Sequence, residues 1–124
     1  MVPALLVALG GALGSVARYL VNVAAARAFG MSFPWGTLTV NVVGGFIMGL
    51  IAALLAFRGG SQELRVFLMT GVLGGFTTFS AFSLDAVTLW ERGDAGLAAG
   101  YVAASVALSI AALFGGLALG RALG

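Results

Sequence analysis

Apolar positions run almost unbroken through four blocks of the chain, at about 2–26, 35–57, 66–90 and 95–119. Polar breaks fall at 27–34, 58–65 and 91–94. Each block matches the ~20-residue length that crosses a hydrocarbon core of about 30 Å with some tilt. The last break is four residues long, which makes the final two helices antiparallel neighbours. The expected fold is an all-α membrane protein. It has a single domain over 1–124 with four transmembrane helices and no room for a soluble domain. The opening run MVPALLVALGGALG has no positively charged side chain before its apolar core, and similar apolar segments follow it. It is expected to be a first spanning helix that stays in place, not a cleaved signal peptide.

Within the blocks, glycines recur four residues apart: Gly10/Gly14, Gly45/Gly49, Gly71/Gly75 and Gly116/Gly120. Small residues at that spacing make a flat helix face that a neighbouring backbone can approach closely. Four such pairs in four helices point to a tightly packed bundle. The third block also contains GVLGGFTTFSAF, in which Gly74, Gly75, Phe76, Thr77 and Thr78 predict a break in the helix. Glycine costs about 1 kcal/mol relative to alanine in a helix interior, and β-branched threonine lends little support. An unwound turn in a bilayer is tolerated only where protein or a cavity covers it, and its freed carbonyls then suit a small cation. The plainer reading is an unbroken helix whose glycines pack and whose threonines bond back to the preceding turn.

Composition confirms the class and removes whole kinds of chemistry. Apolar residues make up 61% of the chain and charged residues 8%, against about a quarter charged in a soluble domain. There is no cysteine, histidine or lysine. That excludes disulfides, thiolate nucleophiles, Schiff-base chemistry and the usual general base and metal ligand. No nucleophile–base pair or ligand cluster is visible, so an enzyme is not expected. The net charge of +2 comes from six arginines against four acids. No basic patch exists to neutralise phosphates, so nucleic acid is not an expected partner.

Several polar residues inside the blocks need a reason. Asn41 lies well within the second block and shares a face with Thr37 and Gly45. Its amide can bond between helices, or its N–H groups can line an anion path. Phe79 and Phe82 share a face in the third block, with Thr78 and Ser80 nearby. They are either packing residues or rings whose positive edges stabilise a partly dehydrated anion without gripping it. Tyr101, Ser105 and Ser109 recur every four residues in the fourth block and draw a polar stripe. Only Arg18 and Asp85 place charge within the spans proper. Arg18 can snorkel to the interface or make an aqueous vestibule positive. Asp85 can accept from a neighbouring helix or serve a proton relay.

The arginines barely bias the topology. Arg58, Arg65 and Arg121 fall on one side, with Arg27 and Arg92 on the other and Arg18 nearest to that second group. Either this small bias suffices, or the chain inserts both ways and two copies meet head to tail.

Three stretches carry a family likeness: GGALGSVARY in the first block, PWGTLTVNVVGGF in the second and GVLGGFTTFSAFSLD in the third. With them the chain resembles the CrcB/Fluc family of fluoride channels over nearly its whole length. The resemblance implies an antiparallel, dual-topology homodimer in the cell membrane, with two narrow pores and a broken third helix. It implies that Asn41 lines the pore and that Phe79 and Phe82 turn ring edges to fluoride. Gly74 and Thr77 of both subunits would give carbonyls to a buried sodium ion. Thr37, Ser80, Tyr101 and Ser109 would line or support the pore, and Arg18 would sit by the vestibule. Function would be passive export of fluoride that entered the cell as HF. The chain departs from the family pattern at Ala81, where threonine is frequent, and at Asp85, where glutamate is frequent; neither position is among those assigned to the ion. Two rival readings are a proton-coupled four-helix exporter, for which Asp85 is the sole candidate carboxylate, and a non-transporting membrane assembly protein.

Overall fold

The computed structural model describes residues 2–124. Four helices long and apolar enough to cross a membrane account for most of the chain: Val2–Phe29, Trp35–Arg58, Gln62–Glu91 and Ala95–Leu123. No strand occurs among the described residues. The first two spans are α1 (Val2–Phe29) and α2 (Trp35–Arg58). The third is composite. A first turn, α3 (Gln62–Arg65), leads into a wide π-helical stretch, Val66–Leu73, then a short turn α4 (Gly74–Phe76), and finally α5 (Ser80–Glu91). The last span is α6 (Ala95–Leu123).

The chain starts and stops these elements by familiar chemistry. Ser61 precedes α3, and its Oγ accepts the Leu64 N–H at 3.0 Å, which satisfies one orphan donor of the helix start. Gly59 and Gly93 follow α2 and α5 with φ of 75° and 90°. Glycine adopts that left-handed backbone without a Cβ penalty. At the far end of the bundle Arg92 ties the short α5–α6 turn to the α1–α2 loop. Its Nη2 donates to Ser32 O at 2.6 Å and its Nε to Asp94 Oδ2 at 3.0 Å.

The four glycine pairs form two seams of backbone against backbone. Gly10 and Gly14 of α1 face Phe67, Gly71, Val72 and Phe76 of the third span. Gly45 and Gly49 of α2 face Ser109 and Leu113 of α6, while Gly116 and Gly120 face Phe46, Leu50 and Ala53 in return. A methyl at Gly14, Gly49 or Gly116 would overlap main-chain atoms of the facing helix. Lipid supplies no hydrophobic drive between helices, so close van der Waals approach is what holds such pairs. Gly49→Val is therefore expected to destabilise the protein by about 3 kcal/mol through overpacking. Gly100→Ala meets open space and should stay within about 1 kcal/mol. Denaturation midpoints of the two variants in the same detergent check this.

A small core joins α5 to α6. Phe82, Leu89, Ala98 and Tyr101 are buried together, with Phe33, Leu38 and Ala86 packed around them. Large apolar side chains on the other faces are exposed in the single chain, from Leu5 and Leu9 in α1 to Ile110 and Phe114 in α6, as spans surrounded by lipid or protein require.

Candidate functional site

The Gly74–Gly75 pair is itself helical, and regular helix is lost just after it, over 77–79. Thr77 is extended at φ −87°, ψ 160°. Thr77 N–H and Oγ1 both donate to Leu73 O, at 3.0 and 2.9 Å, closing the turn behind it. Ahead of it the usual i→i−4 pattern fails. Thr78 N–H donates to Asn41 Oδ1 at 2.8 Å, not to Gly74 O. Ala81 N–H donates to Thr78 Oγ1 at 3.1 Å, not to Thr77 O.

Side chains take over two of the carbonyls that lose their helical donor. Arg18 Nε donates to Gly75 O at 3.1 Å from α1, and Asn41 Nδ2 donates to Thr78 O at 3.0 Å from α2. The Gly74 and Thr77 carbonyls receive no such replacement among the described residues. They are the two carbonyls that the resemblance assigns to sodium. Main-chain oxygens freed in this way suit a small hard cation, so the residues present fit the ion.

Beside this turn lies a groove of about 410 Å³ between α2, the third span and α6. Asn41, Phe79, Phe82, Ser105 and Ser109 all line it. Its hydroxyls are unusual. Thr39, Ser83 and Thr88 each bond back to a carbonyl four residues earlier in their own helices. Ser105 and Ser109 could do the same, yet both Oγ atoms are buried without a hydrogen-bond partner among the described residues. Asn41 has spent its oxygen and one N–H on Thr78, which leaves its second N–H free. The Phe79 and Phe82 ring centroids lie 5.5 Å apart. Phe82 is buried, whereas Phe79 is 78% exposed on the open side of the groove.

A second cavity, of about 340 Å³, opens where α1 and α5 end and α2 begins, and Asn22, Thr37, Asp85 and Arg92 are among its lining residues. Tyr101 lines neither space but touches a residue of each. It is fully buried, its ring packs 5.3 Å from Phe82 and 5.5 Å from Phe33, and its hydroxyl donates to Asp85 Oδ2 at 3.2 Å.

The sequence-selected residues thus separate into places. Asn41, Thr77, Phe79, Phe82 and Ser109 meet at the groove, and Gly74 stands beside it in the same turn. Thr37 is buried at the second cavity. Ser80 is exposed, its Oγ 3.3 Å from Thr78 Oγ1. Arg18 lines neither cavity and lies against the opposite side of the third span, on Gly75. Ser105 belongs to the Tyr101–Ser109 stripe and is given no role by the resemblance, yet it has the same orphaned hydroxyl as Ser109.

Residues 5–117 match the family described as CrcB-like protein, Camphor Resistance (CrcB). The chain belongs to the CrcB family. Among CrcB relatives, a protein of Agrobacterium fabrum named fluoride-specific ion channel FluC is 62% identical over 99% of both chains. One of Mesorhizobium japonicum with the same name is 56% identical over 96% of both. One of Cereibacter sphaeroides, also so named, is 62% identical over 90% of this chain and 89% of its own. With four helices able to span, this CrcB chain is a multi-pass membrane protein.

Proposed function

We infer that the protein is a passive, fluoride-selective ion channel, not an enzyme, and that it lowers cytoplasmic fluoride by letting it run out down its gradient. The observation that carries this from the geometry is the pair of partnerless hydroxyls, Ser105 and Ser109, in one groove with the free N–H of Asn41. Buried donors left without partners are costly unless something accepts from them. A small anion that has shed water is such an acceptor. The edges of Phe79 and Phe82 add weak positive potential without a fixed charge. Binding thus stays loose enough for the ion to leave. The name shared by relatives at 56–62% identity specifies the ion as fluoride.

In this reading Thr37 and Tyr101 support the pore wall, Ser80 adds a hydroxyl near the turn, and Arg18 contributes positive charge from the side of α1. The departure from helix at 77–79 is the break that serves the ion site. Gly74 and Thr77 carbonyls hold sodium, which when bound supplies fixed positive charge at the turn. The working unit is an antiparallel dual-topology homodimer. The near-even split of arginines between the two sides supports this. So do the exposed ring of Phe79 and the open surface at Gly74, where an added Cβ would meet nothing closer than 3.7 Å. A second subunit would cover both.

The deciding experiment is fluoride efflux from liposomes that contain only this purified protein, with chloride as the control. Fluoride should leave quickly and chloride should not. Efflux that stops when a proton gradient is collapsed, with the fluoride gradient intact, would favour a proton-coupled exporter instead.

A further inference from the structure

We propose that Asn41 and Thr78 are positioning residues for the cation: their side chains capture the two backbone N–H groups that would otherwise close the Gly74 and Thr77 carbonyls. The inference rests on the sodium reading given above and adds what creates that site.

In a continuous helix the N–H of residue 78 donates to the carbonyl of 74, and the N–H of 81 to that of 77. Here each of those donors has been diverted by one identified side-chain oxygen. Asn41 Oδ1 takes the Thr78 N–H at 2.8 Å, and Thr78 Oγ1 takes the Ala81 N–H at 3.1 Å. Diversion is tolerable in a bilayer because the side chains that divert these two N–H groups also serve as their acceptors. The Asn41 carboxamide offers its acceptor and a donor side by side, as a peptide group does. It pairs with both the N–H and the C=O of Thr78. Thr78 Oγ1 acts like a helix cap, bonding the N–H three residues on and fixing the start of α5. Thr77 cannot substitute, because its hydroxyl is already bonded to Leu73 O.

The neighbouring carbonyls show that the selection is local. Gly75 O is taken by Arg18 and Thr78 O by Asn41. The carbonyls of Gly74, Phe76 and Thr77 stay bare, and two of these three are the ones expected to meet the cation. The amide that faces the anion groove therefore also holds open the cation site.

The test is a titration of thermal stability with sodium, with choline replacing it at constant ionic strength, on the intact purified protein. A ligand that binds only the folded state raises its midpoint as concentration exceeds the dissociation constant. Thr78→Val leaves the Ala81 N–H free to return to Thr77 O. It should raise the half-saturating sodium concentration at least about tenfold, while Thr78→Ser, which keeps the oxygen, stays within about twofold of the parent. Asn41→Leu should lose the sodium response in the same way, and the Thr78 pair decides the matter whatever the stability of that variant. A Thr78→Val protein with the parent's sodium dependence would overturn the proposal while leaving the sodium site standing. A parent protein whose midpoint ignores sodium would overturn the site itself.

Discussion

Asn41→Leu is expected to reduce fluoride efflux by at least about a hundredfold, the equivalent of some 2.7 kcal/mol of barrier. Two losses combine. The free N–H that Asn41 presents to the groove disappears, and so does its pairing with the Thr78 peptide. Each buried group left unsatisfied costs about 1–3 kcal/mol, so the turn at 77–79 should tighten toward helix. Efflux from liposomes at matched protein density measures the first effect. Amide hydrogen exchange at Thr78 and Ala81 measures the second. Undiminished efflux would take Asn41 out of the ion path.

The second large effect separates two phenylalanines that sequence presents as equivalent. Phe79→Ile should cut efflux at least about tenfold while costing less stability than Phe82→Ala, because the ring is largely exposed within its own chain and isoleucine keeps apolar bulk toward a second subunit. Phe82→Ala should lower both. Its ring is buried between Phe79, Tyr101 and the Leu89–Ala98 cluster, and such truncations cost about 3–5 kcal/mol. Parallel efflux and unfolding measurements distinguish the two patterns. Equal stability losses at both positions would mean that the pair is packing alone.

The four spans were legible because nothing but a membrane explains such long apolar blocks. The glycine pairs were legible as contact faces, since Gly-to-Gly spacing marks a flat side. Which seam met which was not legible: the same spacing suits any partner, and only the fold pairs Gly10–Gly14 with the third span and Gly45–Gly49 with α6. Asn41 drew attention as an amide in an apolar run. Its partner did not, because a bond to the Thr78 main chain leaves no trace in residue type. The irregular turn was expected at Gly74–Thr78, and the glycines turned out to be helical with the departure one step later. Glycine permits unwinding, but the hydrogen-bond acceptors decide where it happens. The π-helical Val66–Leu73 stretch could not have been read in advance, since VFLMTGVL suits an ordinary helix equally well. Phe79 and Phe82 share a face by spacing, yet burial of one and exposure of the other depends on where α6 lies.

The paired glycine columns also bear on how the molecule should come apart. Where main chain touches main chain there is no crevice for a surfactant tail to wedge into, so solubilisation should erode the protein from its oily flanks inward. Under increasing denaturing detergent, the first and third spans should stay together as one parallel pair, and the second and fourth as another, after the groove between them has already opened.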